Sequence, residues 1–76
     1  MKRLLETIAR TLVDHPDDVH VEEYTEEGVV HLDMDMDPGD RGMVIGRKGR
    51  TVSALRTLVD AVAKHRGTPA DLEILD

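Results

Sequence analysis

The sequence predicts an α+β domain in which three helices cover one face of a three-stranded mixed sheet. Three observations lead there. Apolar residues recur at helical spacing near the N-terminus and again from Arg50 to about Arg66. Two adjacent runs around Glu26-Glu27-Gly28 alternate with period two. The resulting order, α-β-β-α-α-β, places a helical crossover between the second and third strands, and strands joined that way usually run parallel.

The first helix carries its apolar stripe at Leu4, Leu5, Ile8, Leu12 and Val13, with Lys2, Arg3, Glu6 and Arg10 mostly off it. Asp14-His15-Pro16 ends it, because proline disfavours helix in the preceding residue. Val19, Val21 and Glu23 then alternate with His20, Glu22 and Tyr24, the period of a strand with one buried face. After the glycine-containing turn, Val30, Leu32, Met34 and Met36 alternate strictly with His31, Asp33, Asp35 and Asp37. Together the two runs predict a β-hairpin with the methionines in the core.

Asp37-Pro38-Gly39-Asp40 is a helix start, with Asp37 as cap and Pro38 at the first helical position. That helix is short, since Gly46 and Gly49 soon interrupt it. The long helix that follows has Val52, Leu55, Leu58, Val59 and Val62 on its apolar stripe, with Ala54 and Ala61 as small neighbours. Lys64, His65 and Arg66 suit its negative end, and Gly67 stops it. Leu72 and Ile74, beyond Thr68-Pro69, form the last strand.

The 76 residues suffice for one domain, residues 1–76, with one modest core and no large enclosed pocket. The absence of cysteine excludes disulfides and thiol chemistry and fits a reducing cytoplasm. The apolar residues after Met1 are broken by Glu6, Thr7 and Arg10, unlike a signal peptide, and no stretch approaches transmembrane length. A cytoplasmic protein without membrane attachment is expected.

The formal charge of −6 argues, taken alone, against a nucleic-acid partner. Its distribution argues otherwise. Asp14 to Asp40 holds eleven acidic residues and no lysine or arginine, whereas Arg41 to Arg66 holds seven basic residues and the single acid Asp60.

The basic half contains Val44-Ile45-Gly46-Arg47-Lys48-Gly49-Arg50. Glycines three apart between two helices permit a tight turn and leave no Cβ to hold off another backbone. The turn also opens the long helix, whose N-terminal N–H groups and dipole favour an anion. Arg47 and Lys48 inside it, and Arg50 directly after, are the best candidates for phosphate contact; Arg41 is a weaker one. Val44 and Ile45 anchor the short helix and offer apolar surface beside the loop.

With its order of elements, this motif resembles the KH domain of the prokaryotic type, type II, over essentially the whole chain. Leu12-Val13-Asp14-His15-Pro16-Asp17-Asp18-Val19 and Val44 to Arg50 further resemble the KhpA-type small bacterial RNA-binding proteins, which are stand-alone KH domains of this length. The resemblance implies that Gly46, Arg47, Lys48 and Gly49 clamp about four nucleotides of single-stranded RNA backbone. It also implies a post-transcriptional regulator or RNA chaperone, a homodimer, and a complex with a larger KH and R3H protein linked to cell shape. The acid-rich whole chain departs from the basic composition of many RNA binders, which predicts few phosphate contacts and a modest salt slope.

Other residues point to no second chemistry. Tyr24 is the only aromatic residue, so base stacking is a small term. His20 and His31 on paired strands near Glu22, Asp33 and Asp35 lack the compact spacing of a zinc site, and no metal or cofactor is expected. Ser53 has no base placed beside it, so no catalysis is expected. Arg56, Lys64 and Arg66 read as solvated helix surface. Two rival readings fit the residues: a protein–protein assembly module on the same fold, and a DNA-binding helix-turn-helix whose recognition helix begins Arg50-Thr51-Val52-Ser53.

Overall fold

The computed structural model describes residues 1–76 and has the expected order. Helix α1 spans Lys2–Leu12, β1 His20–Glu26, β2 Val29–Asp35, α2 Arg41–Ile45, α3 Arg50–Arg66 and β3 Ala70–Ile74. Single 3-10 turns at Pro16–Asp18, Pro38–Asp40 and Arg47–Gly49 join them. The sheet order is β1-β2-β3, antiparallel between β1 and β2 and parallel between β2 and β3. This is a type II KH arrangement. No helix is long and apolar enough to cross a membrane.

The core lies between the helices and one sheet face. Leu5 and Ala9 of α1, Val19 just before β1 and Val21 within it, Leu32 and Met34 of β2 and Met36 just after it, Val44 of α2, Leu55 and Val59 of α3, and Leu72 of β3 form one buried cluster. The period-two pattern of the second run set this register: Val21 pairs with Met34, and Leu32 with Leu72. A slip of one residue would turn Met34 and Met36 outward.

Several elements differ from expectation for identifiable reasons. Helix α1 stops at Leu12, and Val13 is extended (φ −102°, ψ 163°), so the helix ends before Asp14-His15-Pro16. Strand β1 runs through Thr25 and Glu26, so the hairpin turn is only Glu27-Gly28, with φ of 52° and 80°. Two left-handed residues in a row make the turn that matches strand twist. Glu23 and Thr25 lie on the inner face yet are exposed on the edge strand, although Leu32 opposite Glu23 is buried. On α3, Ala63 joins the buried stripe while Leu58 and Val62 are half-buried, and on α1 Leu4 is 42 % exposed.

Both edge strands have outward backbone groups satisfied from the helices. Glu6 Oε2 accepts from the Val21 N–H at 3.2 Å, and Arg10 donates to the Val19 carbonyl at 3.1 Å. On the other edge, Arg56 Nε donates to the Leu72 carbonyl at 3.3 Å. Occupied edges resist pairing with other chains. Arg56 is exposed on α3, as expected of helix surface, and in addition ties that helix to β3. Arg56→Ala is expected to cost about 1 kcal/mol, the usual net worth of such a bond. A thermal melt should show it as a fall of roughly 4–8 °C.

The uncovered sheet face is acidic. Across the strands, Glu22 stands opposite Asp33, and Asp33 opposite Glu73. Beside this row the Tyr24 and His31 rings stack with centroids 5.1 Å apart, and His31 Nδ1 is 2.9 Å from Asp71. Partial burial, followed by the neighbouring Asp33 carboxylate, pushes the Tyr24 phenol above its ordinary value.

Candidate nucleic-acid interface

The turn between α2 and α3 is built by three residues of positive φ. Gly46 (φ 78°, ψ 169°) ends α2, its N–H bonded to the Gly42 carbonyl at 2.9 Å. This backbone region is essentially closed to residues with a side chain. A Cβ at Gly46 would also lie 2.8 Å from the Thr51 backbone nitrogen, so α3 packs directly against the glycine. Lys48 (φ 57°, ψ 25°) and Gly49 (φ 73°, ψ 14°) are left-handed, and the Gly49 N–H closes the turn on the Gly46 carbonyl at 3.0 Å. Nothing stands within 4 Å of the position a Cβ would take at Gly49.

Arg47, Lys48 and Arg50 project from this turn and are exposed, and none of them enters an ion pair. Helix α3, 17 residues long, starts with no side-chain cap and no acidic residue in its first turn. Its positive end therefore faces solvent beside three cations, an arrangement that attracts an anion.

Among the apolar candidates, Ile45 is 39 % exposed beside Gly46, as is Met43 at 40 %, which sequence reasoning did not single out. Val44 is wholly buried. It anchors α2 from beneath and presents no surface to a ligand. Arg41 opens α2 at the end away from the turn; its side chain is half-buried, with Nε buried and unpartnered. The structure thus gathers Ile45 to Arg50 into one surface and sets Arg41 and Val44 apart from it.

The site belongs to the helical layer, whereas Glu22, Asp33, Asp35 and Glu73 belong to the uncovered sheet face. This separation explains how an acidic chain carries a cationic loop. The largest surface hollow, about 370 Å³, lies at the far end of α3 beside Asp60, Lys64 and Pro69, away from the loop.

The sequence missed a tie between Asp40 and His15. Asp40 is 1 % exposed and accepts from both the backbone and the ring of His15. Burial pushes its carboxyl up. The bonds from the His15 backbone and ring, the His15 charge and the Asp14 backbone together outweigh burial and hold it below its ordinary value. From sequence Asp40 is only the last residue of a helix start, because a contact across 25 positions leaves no local pattern.

Residues 2–74 match the family described as KhpA/KhpB, KH domain. The chain is 46 % identical over 76 residues to the RNA-binding protein KhpA of Halalkalibacterium halodurans, with the whole of both chains covered. It is 45 % identical to the protein of the same name from Clostridium acetobutylicum, over 99 % of this chain and all of that one. With its counterpart from Aquifex aeolicus it shares 40 % identity over all of this chain and 96 % of the relative. With the glycine turn, the type II order and full-length similarity in agreement, the chain belongs to the KhpA/KhpB KH-domain family.

Proposed function

We propose that this chain binds single-stranded RNA by capturing its backbone at Gly46–Gly49, and that it performs no catalysis. The observation that carries the proposal is the turn itself: three exposed, unpaired cations around the uncapped start of α3. Phosphates approach the Gly46–Gly49 backbone closely, and Arg47, Lys48 and Arg50 supply the charge. Ile45 and Met43 offer apolar contact to bases next to the loop. The relatives named as RNA-binding proteins support the same reading.

One such loop holds about four nucleotides, so sequence selectivity is low. The acidic sheet face repels RNA and confines it to the helical layer. The role proposed is that of a cytoplasmic post-transcriptional regulator or RNA chaperone. A homodimer, or a complex with a larger KH and R3H protein, would raise apparent affinity by joining two weak sites.

Fluorescence anisotropy of a short labelled single-stranded RNA at two salt concentrations tests this. Binding that weakens with salt and is competed by single strands but not by duplex DNA is the expected result. Preference for duplex would select the DNA-binding reading. No binding at low salt would leave assembly with a protein partner as the function of the fold.

A further inference from the structure

Asp40 immediately precedes α2, yet its side chain makes no cap bond to that helix. Its Oδ2 accepts instead from His15, from the backbone N–H at 2.9 Å and from ring Nδ1 at 3.0 Å. A carboxylate removed from water requires such partners. His15 sits between α1 and the turn Pro16–Asp18. One buried carboxylate therefore joins the end of the first helix to the start of the helix that terminates in Gly46. Helix α2 has only five residues, far too few for a helix to hold its shape alone. Its position is set by what grips it: Val44 in the core, α3 packed on Gly46 at its end, and Asp40 at its entrance.

We infer that His15 is a positioning residue for the RNA loop: a proton on its ring tightens the hold on Asp40, fixes the entrance of α2 and orders the Gly46–Gly49 turn. For its effect on RNA this inference rests on the proposed function, but the tie is a property of the free protein. The charged groups facing the ring are Asp40 and Asp37, from the segment entering α2, and Asp18, from the turn after α1. Arg41 is the cation next to Asp40 in the chain. The side-chain bond to Asp40 is the main cause, followed by the charges of Asp40 and Asp37, that raises the His15 imidazole above its ordinary 6.5.

The sign follows from these directions. Because the folded value of His15 is raised, its contribution is complete below pH 6.5 and is lost as pH rises through the folded value. Asp40 is lowered from 3.8, so the carboxylate side fails only in stronger acid, as pH falls through its folded value. The proton-sensitive window of the loop therefore lies above pH 6.5.

The test is an amide NMR titration of the whole chain from about pH 5.5 to about 8.5, a range that brackets imidazole ionisation. His15→Gln is compared with the native chain; it keeps the backbone bond to Asp40 and a side-chain donor but has no titrating charge. In the native chain, the Gly42, Gly46 and Gly49 amides are expected to shift with the midpoint of the His15 ring. In His15→Gln they should no longer follow it. His20, His31 and His65 are present in both proteins, so their contributions cancel in the comparison. RNA affinity of the native chain should fall between about pH 6 and about pH 8 roughly fivefold more than that of His15→Gln, the low end of coupling between sites.

Glycine amides that titrate identically in both proteins, or not at all, would overturn the inference. So would RNA binding with the same pH profile in both. If the amides follow His15 but RNA binds at no pH, the positioning role stands and the RNA-binding reading falls.

Discussion

Gly46→Ala is expected to lower the melting temperature by roughly 15 °C, whereas Gly49→Ala lowers it by only about 5 °C. At Gly46 two penalties add. The backbone conformation is one that a side chain costs about 1–3 kcal/mol to hold, and the new Cβ meets the Thr51 backbone at 2.8 Å. Overpacking of that kind costs about 1–3 kcal/mol more, because the obstacle is main chain and cannot swing aside. A total near 3 kcal/mol in a domain of this size corresponds to roughly 12–24 °C. Gly49 is also left-handed, but nothing lies near it, so only the conformational cost of about 1 kcal/mol remains. Melts followed by circular dichroism read the difference. Equal shifts for the two substitutions would show that α3 does not pack on Gly46 as described.

The second large effect concerns binding. Arg47→Asp with Lys48→Asp is expected to weaken single-stranded RNA binding by about 100-fold or more, with the fold intact. Removing one charge-assisted hydrogen bond costs at least about 1.5 kcal/mol, and tenfold in affinity corresponds to about 1.4 kcal/mol. Reversal of sign adds repulsion. Stability should be kept, since neither side chain is buried or paired. Aspartate also accepts the left-handed backbone of Lys48 more readily than most residues. The salt dependence supplies an independent reading: neutralising two fewer phosphates of a single strand lowers the slope by roughly 1.4. A folded double variant that binds as well as the native chain would place the RNA-binding surface elsewhere.

Much of this molecule is legible because its patterns are local. Val30, Leu32, Met34 and Met36 alternate so strictly that strand, face and register follow from the run alone. Glycines at 46 and 49 around two cations, between two amphipathic stretches, mark the turn and its chemistry. The limits appear where a side chain acts at a distance. Arg56 looks like any exposed helical arginine until β3 brings the Leu72 carbonyl within 3.3 Å. Val44 and Ile45 are neighbours with the same apolar character, yet one is buried and the other exposed, because α2 is too short to show a periodicity that separates them. Glu23 follows the strand alternation but is exposed, since alternation assigns a face without stating how deeply each residue on it is buried.

The order of elements, the parallel crossover, the methionine-lined core and the cationic glycine turn are all written in the spacing of residues along the chain. Each rests on intervals of a few positions, and helix and strand geometry translate such intervals directly into faces. Closure of the elements over the core added the rest. It gathers the acids on the uncovered sheet face while the loop sits in the helical layer, packs Thr51 on Gly46, and brings His15 to the buried Asp40. Those arrangements join residues whose separation along the chain carries no periodic signal, so they exist only once the helices have settled on the sheet.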